Sequence, residues 1–343
     1  MTQAPPTNPA ELDPSGMLAT VRAAPGDWRE ATRIANESDL TVPADARAVL
    51  VVGMGGSGVA ADVATTLCDR AGGIPVVGVK DYRLPAWADE RTPVVAVSYS
   101  GNTEETLAAL DTASDQGCPL LGITSGGVVA ERLGAVGAPV ATLPGGRQPR
   151  ASMAYLAAPL LVALERGGHL PGAAADLADV PQHVHRCMDD WGNAPRDVAA
   201  DLVDRVPLFV GGAGIGAVVV ERARKQCNEN AEVVALASVL PEADHNEVVG
   251  WGGGPDVPFG LVEVVDLQEH ARTAARFDIT RAVAGDGMTF VHRLVLSGPS
   301  DLARLAAGVQ FVDLVSVHLA LLLGVDPTPV TRIDTLKQRL AER

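Results

Sequence analysis

The sequence predicts an α/β fold with two doubly wound subdomains, each a mainly parallel sheet flanked by helices. Short continuous apolar runs alternate with helical stretches, which is typical of parallel strands covered on both faces. Two of the runs lead into a glycine-rich turn and then a helix, at 53–58 and 212–216. Because this strand, turn and helix pattern occurs twice, we interpret the chain as an internal duplication.

The first half begins with a tail and one amphipathic helix predicted over 17–36. Its strand candidates are 48–52, 74–79, 93–97, 119–123 and 139–142. Helices are expected after the first and third of these, ending near residues 70 and 114. Residues 151–204 have the pattern of helices without a strand.

The pattern restarts after residue 205. Its strand candidates are 208–211, 233–237, 262–265 and 291–296. A long apolar helix over 301–323 and a last helix over 330–342 follow. We therefore predict an N-terminal tail and helix (1–44), a first domain (45–155), a helical connection (156–204) and a second domain with C-terminal helices (205–343).

The composition and net charge exclude several classes of protein. The 343 residues are 47% hydrophobic and 20% charged, and the net charge is −15. That charge argues against binding to nucleic acid or to an anionic membrane surface. The four cysteines have no metal-ligand spacing, so we expect reduced, mostly buried thiols and no metal site. With no secretory signal pattern and no continuous apolar run near 20 residues, we expect a cytoplasmic protein.

The glycine turn at 53–58 is a candidate anion site. Glycines allow close approach of the backbone, and the following helix offers free N–H groups at its start. The alternatives are a tight turn without a ligand, or a dinucleotide site. The dinucleotide site requires an acidic residue after the second strand, and Asp81 is the only near candidate.

A second candidate site is the segment 98–106, which follows a buried strand and opens a helix. It clusters hydroxyl side chains at the helix start, which suits a phosphate monoester. A capping box explains one or two of these hydroxyls but not four. With the glycine turn, the predicted phosphate-binding residues are Gly56, Ser57, Ser98, Ser100, Thr103 and Thr106.

These two segments, Gly-Gly-Ser-Gly at 55–58 and Ser-Tyr-Ser-Gly-Asn-Thr-Glu-Glu-Thr at 98–106, resemble the sugar isomerase (SIS) domain family. The resemblance implies SIS-type subdomains that bind phosphorylated sugars through hydroxyls of this loop. The second half resembles a second SIS domain, so the similarity covers roughly residues 45–343.

Three further residues are candidates for the reaction itself. Arg150 lies between a strand and a helix, where it could steady an anion, although a surface arginine is the simpler interpretation. Glu229 lies between two amides at a helix end, where a carboxylate is disfavoured and could act as a base, although a solvated glutamate at a helix end is the simpler interpretation. His245, in a polar loop, could be a general acid or base, although a lone histidine is more often structural.

Together these segments resemble the bifunctional phosphoglucose/phosphomannose isomerases within the SIS superfamily. In that family an Asn-Glu-Asn-Ala segment supplies the base and a His-Asn-Glu segment follows; here His245 lies 16 residues after Glu229. A Pro-Arg pair matches Arg150, and a lysine of the last helix matches Lys337. The resemblance implies interconversion of glucose 6-phosphate or mannose 6-phosphate with fructose 6-phosphate through a cis-enediolate.

The resemblance also implies a role for each residue. Glu229 would carry the proton, His245 and Lys337 would open the sugar ring, and Arg150 would stabilise the enediolate. It further implies a homodimer in which His245 comes from the neighbouring subunit, and no metal or redox cofactor. Two alternatives stay open: a non-catalytic sugar-phosphate sensor, and another SIS enzyme such as an aminosugar-phosphate isomerase.

Overall fold

The computed structural model describes residues 9–253 and 257–342; residues 1–8 of the predicted tail lie outside this description. The described residues form two compact units. The N-terminal unit comprises Ala23–Arg186 and Gly298–Ala306. The C-terminal unit comprises the described residues of 1–22, 187–297 and 307–343.

Both units are built on parallel sheets. The strands of the N-terminal unit have the order β2-β1-β3-β4-β5 and those of the C-terminal unit the order β7-β6-β8-β9. The strands are β1 (Val49–Val52), β2 (Val76–Val79), β3 (Val94–Val97), β4 (Leu120–Thr124), β5 (Val140–Thr142), β6 (Val206–Gly212), β7 (Leu236–Leu240), β8 (Phe259–Asp266) and β9 (Met288–Leu296). All described pairings are parallel, which confirms the predicted fold class.

Helices surround these sheets. They are α1 (Pro9–Leu12), α2 (Met17–Arg22), α3 (Ala24–Glu37), α4 (Gly55–Ala71), α5 (Glu104–Asp115), α6 (Gly127–Ala135), α7 (Met153–Arg166), α8 (Ala173–Trp191), α9 (Ala194–Leu202), α10 (Ile215–Asn230), α11 (Glu247–Gly253), α12 (Ala271–Ala284), α13 (Asp301–Leu322) and α14 (Thr331–Ala341). Two short 3-10 helices matter for the site, Pro149–Ala151 and Glu242–His245.

The core of each unit explains the apolar runs of the sequence. Every residue of β1 and β3 is buried, because helices cover both faces of the sheet. In the C-terminal unit, Leu208, Leu261 and Phe277 belong to one buried cluster. The low aromatic content makes both cores mainly aliphatic.

Two predicted elements differ from the structure. The helix expected over 17–36 is divided into α2 and α3, because Pro25 fits the first turn of a helix and α3 restarts there. The strand expected over 233–237 begins only at Leu236. Glu232 adopts a left-handed φ of 53°, and the Ala235 N–H donates to the Asn228 side chain at 3.1 Å, so this stretch does not pair with the sheet.

Helix α13 is the one helix, among the described residues, that is long and apolar enough to cross a membrane. In its most apolar window, 83% of the residues are buried inside the protein. Such burial is typical of a core helix, which needs apolar residues on every side.

The cysteines are mostly buried, as predicted, whereas one histidine that was expected at the surface is buried. Cys68, Cys118 and Cys227 are buried, and none of the four cysteines forms a disulfide within the described residues. In the sequence, the spacing of His183 and His185 predicts an exposed pair on a helix surface. On α8, His185 is exposed but His183 is buried, because its ring lies close against Gly298.

Candidate active site

In the first sheet, the order of the strands reverses at β1. Its neighbours are β2 on one side and β3 on the other, so successive connections run to opposite sides of β1. Ligands of open α/β sheets bind outside the carboxyl ends of the strands at such a point. The glycine turn at 53–58 follows β1 and the loop at 98–103 follows β3, so both predicted phosphate-binding segments lie there.

Close packing explains the glycines of the first turn. A Cβ on Gly53 would lie 2.8 Å from the Val97 carbonyl oxygen, at the end of β3. A Cβ on Gly56 would lie 2.7 Å from the backbone nitrogen of Arg150. The start of α4 therefore packs directly against the 3-10 helix that carries Arg150. No side chain caps α4, and the N–H groups of Ser57 and Gly58 donate to the Met54 carbonyl, which leaves the N–H groups of Gly55 and Gly56 for an anion.

Hydrogen bonds among the predicted residues shape the second loop. The hydroxyls of Ser98 and Thr103 are 3.0 Å apart, and the Gly101 N–H donates to the Ser98 hydroxyl at 3.1 Å. The Ser57 hydroxyl accepts from the Tyr99 N–H at 3.1 Å, which joins the loop to the first turn of α4. Ser57 and Ser98 are both buried. Their hydrogen bonds help to fix the conformation of the loop.

The capping-box alternative does not describe this loop. Thr103 precedes α5 without capping it through its side chain, because its hydroxyl lies against Ser98. Thr106 is completely buried, and its hydroxyl has no hydrogen-bond partner in the part of the chain described here. Ser100 is exposed and accepts from the Asn102 N–H at 3.3 Å. Uncapped N–H groups and hydroxyls thus surround one helix start.

Arg150 is not a surface arginine. It is 3% exposed, and its Nη1 donates to the Gln148 side chain at 3.1 Å. Its backbone packs against the start of α4, so a buried arginine adds a positive charge to this region of the unit. In the N-terminal unit, the structure therefore brings Arg150 and Gly56 into direct contact beside the hydroxyl cluster.

A buried polar cluster holds the loop that leads to Arg150. Arg147 forms an ion pair with Asp27 and lies over the ring of Tyr155, which donates to Asp27 at 3.3 Å. Burial raises the pKa of the Asp27 carboxyl above its usual value, although Arg147 opposes the shift. Burial, together with the Asp27 charge, raises the pKa of Tyr155 to about 12.

Sequence reasoning missed a third loop of this edge, which follows β4. The Ser125 hydroxyl donates to the Tyr99 carbonyl at 2.6 Å, and the Asn102 side chain accepts from the Val128 N–H at 3.1 Å. A Cβ on Gly127 would lie 2.7 Å from the Asn102 side-chain oxygen. The signal was present, because Ser-Gly-Gly follows an apolar run there as Gly-Gly-Ser-Gly follows β1.

In the C-terminal unit, Glu229 is the next-to-last residue of α10 and is partly exposed. The side chains of its two neighbours, Asn228 and Asn230, form hydrogen bonds within the fold. The buried Asn230 side chain donates to the Ser316 hydroxyl at 2.9 Å, and the Asn228 oxygen accepts from Ala235. The backbone of Glu229 therefore lies between two residues that are fixed by hydrogen bonds.

His245 and Lys337 lie on two other elements of this unit. His245 ends the 3-10 helix after β7 and is exposed, and Lys337 is exposed on α14, a helix with no buried residue. Glu229, His245 and Lys337 thus lie on three separate elements of this unit, which are α10, the 3-10 helix and α14.

In the second sheet, the order of the strands also reverses, at β6. The edge formed by the carboxyl ends of its strands differs from that of the first sheet. The Glu269 carboxylate lies directly against Gly212, at the end of β6, so closely that a Cβ there would overlap it. The turn that follows, Ala-Gly-Ile-Gly at 213–216, contains no hydroxyl. A carboxylate in this position repels a phosphate, so the two sheets are not equivalent as anion sites.

Comparison with known proteins agrees with this geometry. Residues 44–131 match the SIS domain model, and residues 192–340 match the model of the bacterial phospho-glucose isomerase C-terminal SIS domain. The chain resembles the C-terminal domain of glucosamine-fructose-6-phosphate aminotransferase from Francisella tularensis (TM-score 0.73, 15% identity, 91% of this chain and 97% of that one). At that identity, the likeness shows the fold alone.

Curated relatives are more similar in sequence. The bifunctional phosphoglucose/phosphomannose isomerase of Caldicellulosiruptor bescii is 34% identical over 95% of this chain and 99% of its own length. The D-glucosamine-6-phosphate 4-epimerase of Sulfolobus acidocaldarius is 33% identical over 64% of this chain and 69% of its own length. On this similarity along almost its whole length, the chain belongs to the bifunctional phosphoglucose/phosphomannose isomerase family, with its paired SIS domains.

Proposed function

We propose that this protein is an aldose-ketose isomerase that converts glucose 6-phosphate and mannose 6-phosphate into fructose 6-phosphate. The observation that supports this most is the hydroxyl-lined loop at 98–103, beside the uncapped starts of α4 and α5 and the buried Arg150. This arrangement offers N–H donors, hydroxyl donors and one fixed cation. A phosphate monoester can accept from the N–H and hydroxyl donors, which leaves the cation for a second negative charge on the substrate.

Phosphate binding is the first part of the proposal. The predicted residues are Gly56, Ser57, Ser98, Ser100, Thr103 and Thr106. The net charge of −15 repels an anionic substrate at long range, so local donors must supply the attraction. Binding energy from the distant phosphate would then orient the reacting carbons.

Proton transfer is the second part. We propose that Glu229 removes the proton from carbon 2 of the open-chain aldose and returns it to carbon 1 through a cis-enediolate. Arg150 would stabilise the negative charge of that intermediate. His245 and Lys337 would open the sugar ring, with Lys337 near the ring oxygen. A proton transfer between adjacent carbons exchanges no electrons with a second reactant, so we propose that no redox cofactor takes part.

Assembly and location complete the proposal. We propose two SIS domains over 45–155 and 205–343, and a cytoplasmic homodimer in which His245 acts on the substrate of the neighbouring subunit. The exposed position of His245 supports this arrangement, because a side chain at the surface is accessible to a second copy. We expect hexose 6-phosphates as its ligands and neither nucleic acid nor membrane as a partner.

A coupled assay tests the proposed reaction. Purified protein incubated separately with glucose 6-phosphate and mannose 6-phosphate should form fructose 6-phosphate from each. A protein that is thermally stabilised by these sugars without turning them over is instead a sugar-phosphate sensor. In deuterated water, the enediolate route predicts that some product molecules carry deuterium at carbon 1, whereas a direct hydride shift excludes this.

The similarity to the Sulfolobus acidocaldarius epimerase supports a second candidate, inversion at carbon 4 of an aminosugar phosphate. Incubation with glucosamine 6-phosphate separates the two. The isomerase proposal predicts no 4-epimer by sugar analysis, and a 4-epimer formed faster than fructose 6-phosphate would favour the epimerase.

A further inference from the structure

His245 is exposed between residues that are firmly anchored. Its ring makes no hydrogen bond within the described residues. Ala243, two residues earlier, is fully buried in the core cluster of the C-terminal unit. Two residues later, the Glu247 carboxylate accepts a hydrogen bond from the buried Ser238 of β7. Both ends of this short segment are therefore fixed.

Asp244 supplies an additional anchor directly beside the histidine. Its side chain is 14% exposed, and its Oδ2 lies 2.6 Å from Nη1 of Arg276. Its other oxygen, Oδ1, accepts from the Thr280 hydroxyl, also at 2.6 Å. Because both oxygens are bonded, the carboxylate cannot turn without losing a charge-assisted bond.

Helix α12 is a rigid partner for that carboxylate. Arg276 and Thr280 are four residues apart, so they lie on one face, one turn from each other. The same helix buries Thr273, Phe277 and Ala284. Asp244 is thus bonded to an element that the core holds in place, and the neighbouring backbone of His245 is fixed with it.

We propose that Asp244 is a positioning residue that holds His245 in its working orientation by bonding to Arg276 and Thr280 of α12. This inference rests on the proposed role of His245 in ring opening. A displacement of about 1 Å in a reacting group can lower a rate by about a hundredfold. Loss of the anchor leaves Ala243 and Glu247 in place, so the segment stays folded while the histidine gains freedom.

A double-mutant cycle tests the inference. Asp244→Ala should lower kcat for glucose 6-phosphate about 10- to 100-fold, with KM changed by less than about threefold. In an H245A background the same change should alter kcat by less than about twofold, because the residue it positions is gone. Asp244→Asn, which keeps an acceptor for Thr280 but loses the charge opposite Arg276, should lie between Asp244→Ala and wild type.

Asp278→Ala is the matched control. Asp278 forms ion pairs with Arg281 and Arg293 elsewhere on α12, and its loss should leave kcat unchanged. Amide hydrogen exchange gives a second measurement, which does not depend on residual activity of H245A. Exchange over 243–247 should accelerate in Asp244→Asn, while exchange in β8 should stay the same.

The outcomes separate this inference from the proposed function. A wild-type protein without isomerase activity contradicts the proposed function. An H245A variant with wild-type kcat contradicts the role of His245. Equal losses from Asp244→Ala in both backgrounds, or unchanged exchange over 243–247, overturn the positioning role of Asp244 alone.

Discussion

Position 101 requires glycine for two independent reasons. Its φ of 69° is left-handed, and a Cβ there would overlap the Gly126 carbonyl oxygen in the loop after β4. We predict that Gly101→Ala lowers the free energy of unfolding by at least about 2 kcal/mol and weakens phosphate binding. Chemical denaturation and phosphate titration measure both effects.

Gly134→Ala provides the control, because Gly134 lies within α6 and a Cβ there would meet open space. We expect this change to stabilise the protein by about 0.5–1 kcal/mol. A Gly101→Ala variant that is as stable as wild type would contradict the packing of the two loops.

His318 makes the stability of the C-terminal unit depend on pH. Burial, with the charges of Arg22 and Arg196, lowers its pKa to about 4. As the pH falls below 6.5, the ordinary pKa of histidine, His318 binds a proton in the unfolded chain but not yet in the folded chain. Stability should therefore fall as pH decreases from about 6.5 to about 4.

His318→Asn removes this contribution, so its free energy of unfolding should decline less steeply than that of wild type over that range. Denaturation series at several pH values measure the difference. Parallel curves for the two proteins would show that His318 does not titrate as expected.

Single residues could be predicted from sequence where the local pattern carried the information. The cluster of hydroxyls at 98–106 was visible because neighbours along the chain form it. Asp27 and Asp244 were not, because their partners lie 120 and 32 residues away and only folding brings them together. The sequence also could not indicate that the Ser98 hydroxyl is bonded within its own loop.

At the scale of elements, a buried ion pair joins two helices of the C-terminal unit. Arg222 of α10 donates two hydrogen bonds of 2.8 Å to Asp313 of α13, and the arginine side chain is 2% exposed. We predict that Arg222→Met costs about 3–5 kcal/mol of stability, because it leaves a buried carboxylate without its partner.

Arg224→Met is the comparison on the same helix. Its pair with Glu221 is partly exposed, so we expect a loss below about 1 kcal/mol. Thermal and denaturant unfolding measure both variants. Similar losses in the two would mean that burial does not determine the strength of the Arg222 pair.

Element type was predictable because buried parallel strands and helices differ in length and period. The boundaries were less so. The start of β7 depends on the left-handed Glu232, a conformation that glycine usually adopts and that the side chain does not reveal. The division between α2 and α3 follows from Pro25, whose preference for a first helical turn could have been recognised.

At the scale of the whole molecule, the proposed homodimer predicts complementation between two inactive variants. E229Q and H245A should each lose turnover. When they are unfolded together and refolded, mixed dimers should contain one intact site, which gives about a quarter of wild-type activity. If each site uses only its own chain, mixing restores nothing, and the shared-site proposal is wrong.

In the proposed reaction, Glu229 is the base on which turnover depends. Its most direct test compares wild type with Glu229→Gln, using Glu221→Gln on the same helix as the control. Turnover of glucose 6-phosphate should fall about 10²- to 10⁴-fold in Glu229→Gln, while the calorimetric affinity of that variant for the substrate should stay within about threefold of wild type. Turnover close to that of wild type would contradict this role of Glu229.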